Sequence, residues 1–171
     1  MTDFFSLFDL PNAFDLDSAA LEKAYFAQQR QYHPDRMAAK PEKERIAALQ
    51  HSMTINEAYQ ALRQPLTRAE HMLANQNILV NTEKDSVKPT PMLLTEIMEW
   101  RERLADAADM ASIQQLANET ETAYRETMQL LSTSFQKQDW QNAAQATLRL
   151  GYLEKLRHEI KIRSQKFGKA S

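Results

Sequence analysis

Five consecutive residues near the N-terminus, Tyr32-His33-Pro34-Asp35-Arg36, gather an imidazole, a rigid backbone link, a carboxylate and a guanidinium into the space of one turn. Pro34 lacks the amide hydrogen that an interior helical position needs. It also disfavours helical geometry at His33, so a helix arriving from about Asp17 must end here. A new helical pattern opens at about Pro41, a residue well tolerated at the first helical position. His33, Pro34 and Asp35 are therefore expected at the exposed tip of a helical hairpin. The chemistry they offer there is docking: a fixed turn that presents a carboxylate and an imidazole to a partner.

Other chemistries find less support. A metal site needs clustered ligands, but His51, His71 and His158 are scattered and share no ligand spacing with His33. The chain has no cysteine, which removes disulfides, thiolate nucleophiles and cysteine-held zinc or iron-sulfur centres. No glycine-rich phosphate cradle is present. The sequence reads as that of a non-enzyme without cofactor or metal. A basic C-terminal stretch, Lys155, Arg157, Lys161, Arg163, Lys166 and Lys169, is the one feature a nucleic-acid binder could use. Glu154 and Glu159 dilute it, and charge runs of this kind are usually solvated helix faces.

Composition sets the frame in which the turn must be held. With 171 residues the chain forms one large or two small domains. Two glycines, six prolines and a hydrophobic fraction of 43%, with alanine, leucine, glutamine and glutamate abundant, mark an all-α protein. The N-terminus carries no basic region ahead of an apolar run, and no stretch is long enough to span a bilayer, so the expectation is a soluble, cytoplasmic protein. A formal net charge of −2 gives no general attraction to nucleic acid or to an anionic membrane.

In chain order, Phe4-Phe5-Ser6-Leu7-Phe8-Asp9-Leu10-Pro11 predicts a short helix that inserts apolar side chains into a core. Asp15-Leu16-Asp17-Ser18 supplies N-cap candidates for the helix that runs to Tyr32. Leu21, Tyr25, Gln28 or Gln29, and Tyr32 mark its buried stripe, with Lys23 and Arg30 on other faces. Ile46, Leu49, Met53, Ile55, Tyr59 and Leu62 trace the expected stripe of the next helix, which would pack antiparallel to the first. Pro65 ends that helix, and Leu66 to Ala74 adds a short one.

These residues resemble a J-domain. Leu21-Glu22-Lys23-Ala24-Tyr25, then Tyr32-His33-Pro34-Asp35-Arg36, then Ile55-Asn56-Glu57-Ala58-Tyr59-Gln60-Ala61-Leu62 look like the second helix, loop and third helix of that family. The resemblance implies that the His33-Pro34-Asp35 loop and the basic helix before it dock on the ATPase domain of a DnaK-type chaperone and stimulate ATP hydrolysis there. Asp35 would accept from a chaperone arginine, with His33 and Pro34 fixing the loop and Lys23, Arg30 and Arg36 meeting acidic surface. Phe26, Ala27, Gln28, Gln29 and Gln31 stand near positions often basic in the family. That departure implies weak, salt-sensitive docking or a restricted partner.

Beyond Asn75 the pattern changes. Residues up to Pro91, with Asn77, Asn81, Thr82, Asp85, Ser86 and Pro89, lack a helical stripe and read as a linker, with Ile78, Leu79 and Val80 packed against one neighbour. From Met92 to about Phe167 breaks near residues 109–112 and 136–139 divide a helical pattern into three, with Asp139 as an N-cap, which implies a three-helix bundle. The expected division is a J-domain over 1–75, a linker over 76–91 and a bundle over 92–171. In the first bundle helix Leu93, Ile97, Trp100 and Leu104 form the core face. Leu94, Met98 and Ala105 lie about 90° or more away, beside Arg101 and Glu102, and an apolar patch rimmed by charge is a candidate partner site. In the last helix Leu148, Tyr152, Leu153, Leu156 and Ile160 cover an arc wider than one contact needs, so Tyr152 is placed in the same patch.

Met98-Glu99-Trp100-Arg101-Glu102, Pro65-Leu66-Thr67-Arg68-Ala69-Glu70-His71-Met72-Leu73 and Gln29-Arg30-Gln31-Tyr32-His33-Pro34-Asp35 together resemble the HscB family, the J-type co-chaperones of iron-sulfur cluster assembly. The similarity covers essentially the whole chain, and the absence of a cysteine-rich N-terminal extension resembles the bacterial members. It implies two partners, an HscA-type chaperone of the DnaK family for the J-domain and an IscU-type iron-sulfur scaffold for the bundle. The positions that match the family's scaffold-binding patch are Leu94, Thr95, Met98, Glu99, Glu102, Asp106 and Tyr152. Thr95 replaces a residue that is usually apolar there, and Asp106 is shorter than the common glutamate. A general J-domain co-chaperone with another client is the alternative reading.

Overall fold

The computed structural model describes residues 3–80 and 87–169, all of them helical or irregular, in two compact units, Met1–Gln76 and Asn77–Ser171. Asn81, Thr82, Asp85 and Ser86 of the expected linker lie outside the described residues, as do the side chains of Pro34 and Lys169. Among the described residues no helix is long and apolar enough to cross a membrane.

The first unit is built on a hairpin of α1 (Ser18–Gln31) and α3 (Glu42–Arg63). Asp17 caps α1, its carboxylate accepting the Ala19 and Ala20 amides. The helices run antiparallel. Tyr25 stacks on Tyr59 at 4.1 Å and donates to Asn56, Gln29 donates to the same Asn56 oxygen, and Tyr32 meets His51 at the far end. This is why glutamines occur in the α1 stripe: they bond across the hairpin to polar groups of α3. Leu21, Ala48, Ile55, Ala58 and Leu62 are buried between and around them.

The expected α3 stripe holds only in part. Ile55 and Leu62 are buried and Tyr59 half-buried, but Ile46, Leu49 and Met53 are 51, 61 and 64% exposed. The reason is helical phase. At 100° per residue Ala48, Ile55, Ala58 and Leu62 fall within about 80° of one another on the buried face, whereas Ile46, Leu49 and Met53 lie about 100–160° from Ala48. A second difference concerns the turn. Pro41 is the N-cap of α3 rather than its first helical residue, and Pro34 starts a one-turn helix, α2 (Pro34–Met37), at the N-terminal position that needs no amide hydrogen.

α4 (Pro65–Ala74) closes the unit and anchors its N-terminal segment. A single 3-10 turn, Ser6–Phe8, stands where a short helix is expected, with Phe5 and Phe8 buried. His71 accepts the Phe4 amide at 3.3 Å and stacks on the Phe4 ring at 4.2 Å. Buried Arg68 donates to the Leu62 carbonyl and lies 5.2 Å from the Phe14 ring centre.

The second unit is an up-down-up bundle of α5 (Pro91–Asp106), α6 (Met110–Gln136) and α7 (Trp140–Lys169). Thr90, Asp109 and Asp139 accept the amides of Leu93, Ser112 and Asn142, so each helix has a side-chain cap where the pattern breaks. Small residues at the α6 and α7 positions that face inward, among them Ala123, Thr127, Ala143, Ala144 and Thr147, are buried and permit close approach. Thr127 and Thr147 satisfy their hydroxyls on carbonyls four residues back. Trp100 and Leu104 of α5 join Ile113, Leu116, Leu153, Leu156 and Ile160 in one core cluster. Just before α5, Gln145 bonds the Lys88 carbonyl and the Thr90 amide, which ties this segment to α7. Val80 is buried, while Leu79 is 38% exposed and Ile78 half-buried.

Candidate docking surfaces

In the first unit the sequence places the turn where α1 must stop, and the turn's own hydrogen bonds set its shape. His33 is the N-cap of α2 and its Nδ1 accepts the Asp35 amide at 3.3 Å. The same nitrogen lies 3.5 Å from Asp35 Oδ2. The cap is made by the lone pair of Nδ1. The Asp35 side chain is 91% exposed, which leaves its oxygens free to accept from a partner.

Arg36 is exposed on α2, and Lys23 and Arg30 are exposed on α1. Seven residues apart, the last two share one helix face, about 10 Å from end to end. Between them on that face stand Ala27 and Phe26, the latter 50% exposed with its ring 5.4 Å from Tyr25. Sequence reasoning treated Phe26 only as a missing base. Its signal was available: an aromatic three residues from Lys23, on the side of α1 away from Leu21.

The second surface belongs to α5. At 100° per residue, Leu94, Met98, Arg101 and Ala105 form one row along the helix, and Thr95, Glu99, Glu102 and Asp106 form the next row outward. All eight are exposed, Leu94 to 44% and Met98 to 61%. The core face, Leu93, Ile97, Trp100 and Leu104, is buried as its spacing predicts.

α5 and α7 run parallel, and their contacts rise in step. Arg149 pairs with Glu96, Arg101 with Glu159, and Arg163 donates to the carbonyls of Ala105 and Ala107. Tyr152, half-buried, falls between the first two pairs and on the α7 face that carries them, level with Met98. The bundle thus brings Leu94, Met98 and Tyr152 to one flank, with the acidic row beside them. Lys155 lies over the Tyr152 ring, 5.8 Å from its centre.

Arginine pairs hold α5 in place, and these the sequence did not reveal because their partners are 16 to 58 residues away. Arg149 bonds Glu96 and Thr127 and lies 5.8 Å from the Trp100 ring centre. Arg103 forms a two-bond pair with Glu119, and this pair, aided by Gln115, holds the Glu119 carboxyl below its ordinary value. Among the described residues no group of three or more His, Asp or Glu side chains could hold a metal ion.

Comparison with known proteins follows the same division. A DnaJ domain model matches residues 3–71, and a model described as the HSCB C-terminal oligomerisation domain matches residues 89–161. The co-chaperone protein HscB of Proteus mirabilis is 36% identical over 162 residues, which cover 92% of this chain and 93% of that one. The HscB homolog of Haemophilus ducreyi is 39% identical over 160 residues, covering 91% and 92%. Among solved structures, chaperone HscB from Vibrio cholerae superposes with a TM-score of 0.82 at 32% identity, over 97% of this chain and 99% of that one. The crystal structure of human co-chaperone protein HscB gives 0.85 at 28% identity, over 95% and 82%. An exposed His-Pro-Asp turn on an antiparallel hairpin, joined in sequence to a three-helix bundle, defines a J-domain co-chaperone of two helical units. Within that class the chain belongs to the HscB co-chaperone family.

Proposed function

We propose that this co-chaperone stimulates the ATPase of an HscA-type chaperone of the DnaK family through its first unit, and through its second delivers an IscU-type iron-sulfur scaffold to that chaperone. The observation that carries the first half is the His33-Pro34-Asp35 turn, which presents a 91% exposed carboxylate with Arg36, Lys23 and Arg30 displayed nearby. Asp35 accepts from a chaperone arginine, and the three cations meet acidic surface. The J-protein supplies no nucleotide chemistry. It binds one conformation of the chaperone better than another and so shifts the chaperone toward its hydrolysing state.

Support for the second half comes from the α5 flank. Leu94, Met98 and Tyr152 offer an apolar centre, and Thr95, Glu99, Glu102 and Asp106 a polar, acidic edge for basic groups of the scaffold. Holding both partners on one chain raises the local concentration of scaffold at the chaperone.

The test is single-turnover ATP hydrolysis by the chaperone, with and without scaffold. Wild type stimulates in both cases, and more with scaffold. Asp35→Asn stimulates in neither although it remains folded. A Leu94→Ser, Met98→Ser variant keeps the scaffold-independent stimulation and loses the added effect. Full stimulation by Asp35→Asn would sink the J-domain half. An undiminished scaffold effect with the patch variant would leave a J-protein with a different client.

A further inference from the structure

The α5 row that begins with Leu94 does not end at Met98. It runs on through Arg101 and Ala105, and these two form one wall of a groove of about 540 Å³ whose opposite wall is Glu159, Ile162, Arg163 and Lys166 of α7. Leu104 and Phe167, which belong to or pack on the core cluster, lie at its base. Ile162 is 40% exposed in this groove.

The charges of the groove are unbalanced. Arg101 is met by Glu159 at 3.6 Å. Arg163 donates to the carbonyls of Ala105 and Ala107 at the C-terminal end of α5, where a cation is favoured by the helix dipole. Exposed Lys166 stands beside them, so the groove holds three cations and one carboxylate. Across the row, the outward edge of α5 carries Glu99, Glu102 and Asp106. The row of Leu94, Met98, Arg101 and Ala105, apolar except for the paired Arg101, therefore has an acidic border on the α5 side and a basic one at the α7 end.

We propose that this groove is the second half of the scaffold-binding surface and takes an acidic segment with an apolar anchor from the same partner that covers Leu94 and Met98. The inference rests on the function proposed above. Continuity of the row selects the occupant: Ala105 is seven residues past Met98, about 10 Å along the helix, well inside the footprint of a partner of ordinary interface size. Charge selects the segment. Like charges brought face to face are costly, so a partner whose basic groups meet the α5 edge must turn acidic groups toward Lys166 and Arg163. Opposite borders thus fix the direction in which the scaffold lies along α5.

The experiment is calorimetric titration of the full-length protein with the scaffold at low and high salt, using Ile162→Ser, Lys166→Gln, Lys166→Glu and the Leu94→Ser, Met98→Ser control. Ile162→Ser weakens binding about 5- to 10-fold, the loss expected for part of a buried apolar anchor. Lys166→Glu weakens it more than Lys166→Gln, and the gap between those two closes at high salt. All three leave scaffold-independent chaperone stimulation unchanged. Wild-type affinity for the Ile162 and Lys166 variants, with binding lost in the control, overturns the groove and spares the function. Tighter binding by Lys166→Glu overturns the acidic assignment. Undiminished binding by the control as well removes the function reading and the groove with it. Sedimentation of the protein alone completes the set: dimerisation abolished by Ile162→Ser assigns the groove to a second copy and overturns the proposal.

Discussion

Arg149 grips Glu96 with two hydrogen bonds, Nε to Oε2 at 3.0 Å and Nη2 to Oε1 at 2.6 Å, while its remaining nitrogen donates to Thr127 at 3.0 Å. One guanidinium so joins all three helices of the bundle. Both partners are more than two-thirds buried. Removing one of them strands a desolvated group, which costs more than the pair contributes. Arg149→Met is expected to destabilise the second unit by roughly 1–3 kcal/mol, and Arg149→Met with Glu96→Met together by less than the sum of the single changes. Denaturant unfolding followed by tryptophan fluorescence reads this unit alone, because Trp100 and Trp140 both lie in it. Strict additivity would mean that the pair does not hold α5.

Acid should loosen the first unit at a particular contact. His71 must be neutral at Nε2 to accept the Phe4 amide. Burial pushes its pKa below the ordinary value, against the opposing pull of Asp3 and Glu57. A histidine whose folded pKa is depressed binds protons more readily in the unfolded chain. Its contribution is therefore full above about pH 6.5 and is lost as pH falls through the lower folded value. Hydrogen exchange of first-unit amides on the full chain, between pH 7.5 and 5, should show this loss after correction for intrinsic rates. His71→Gln should be less protected at neutral pH and flatter across the range. An identical slope in the variant would assign the effect elsewhere.

How much of this could be read from the chain depends on the range of the interaction. Caps and breakers are local, so Asp17, Asp139 and Pro65 mark helix ends correctly. The core face of α5 follows from spacing alone. Local pattern failed at Ile46, Leu49 and Met53 because the apolar residues of α3 fit more than one helical phase, and packing selects the face of Ala48, Ile55 and Leu62. The His-Pro-Asp turn was legible because His33, Pro34 and Asp35 are contiguous. That Tyr152 is level with Met98 follows from the parallel register of α5 and α7, and that register is fixed by arginine pairs between residues far apart in sequence.

The exposed α3 stripe makes a prediction about stability. Replacing Ile46, Leu49 and Met53 with serine removes apolar surface that already faces solvent, and each such change is expected to fall within about 0.5 kcal/mol. Ile55 is 1% exposed, and Ile55→Ala should cost about 2–5 kcal/mol by itself. Helix unfolding and exchange protection in the first unit measure both. If the three-serine variant lost as much as Ile55→Ala, these side chains would be core residues after all.

Phe26 separates two components of chaperone docking. In the proposed docking Lys23 and Arg30 act through charge, so Lys23→Ala and Arg30→Ala should slow association at low salt and have little effect at high salt, where exposed charges are screened. Phe26 lies between them with half its surface exposed, and an apolar contact is not screened. Phe26→Ala should leave stability within about 0.5 kcal/mol and raise the dissociation rate of the chaperone complex by a similar factor at both salt concentrations. Stopped-flow binding at 50 and 500 mM salt, between which the Debye length shortens about threefold, resolves the two patterns. A Phe26→Ala effect that vanished at high salt would mean that the ring only supports the neighbouring cations. A salt-independent one would explain how a J-domain helix poor in lysine keeps its partner under ionic conditions that defeat charge alone.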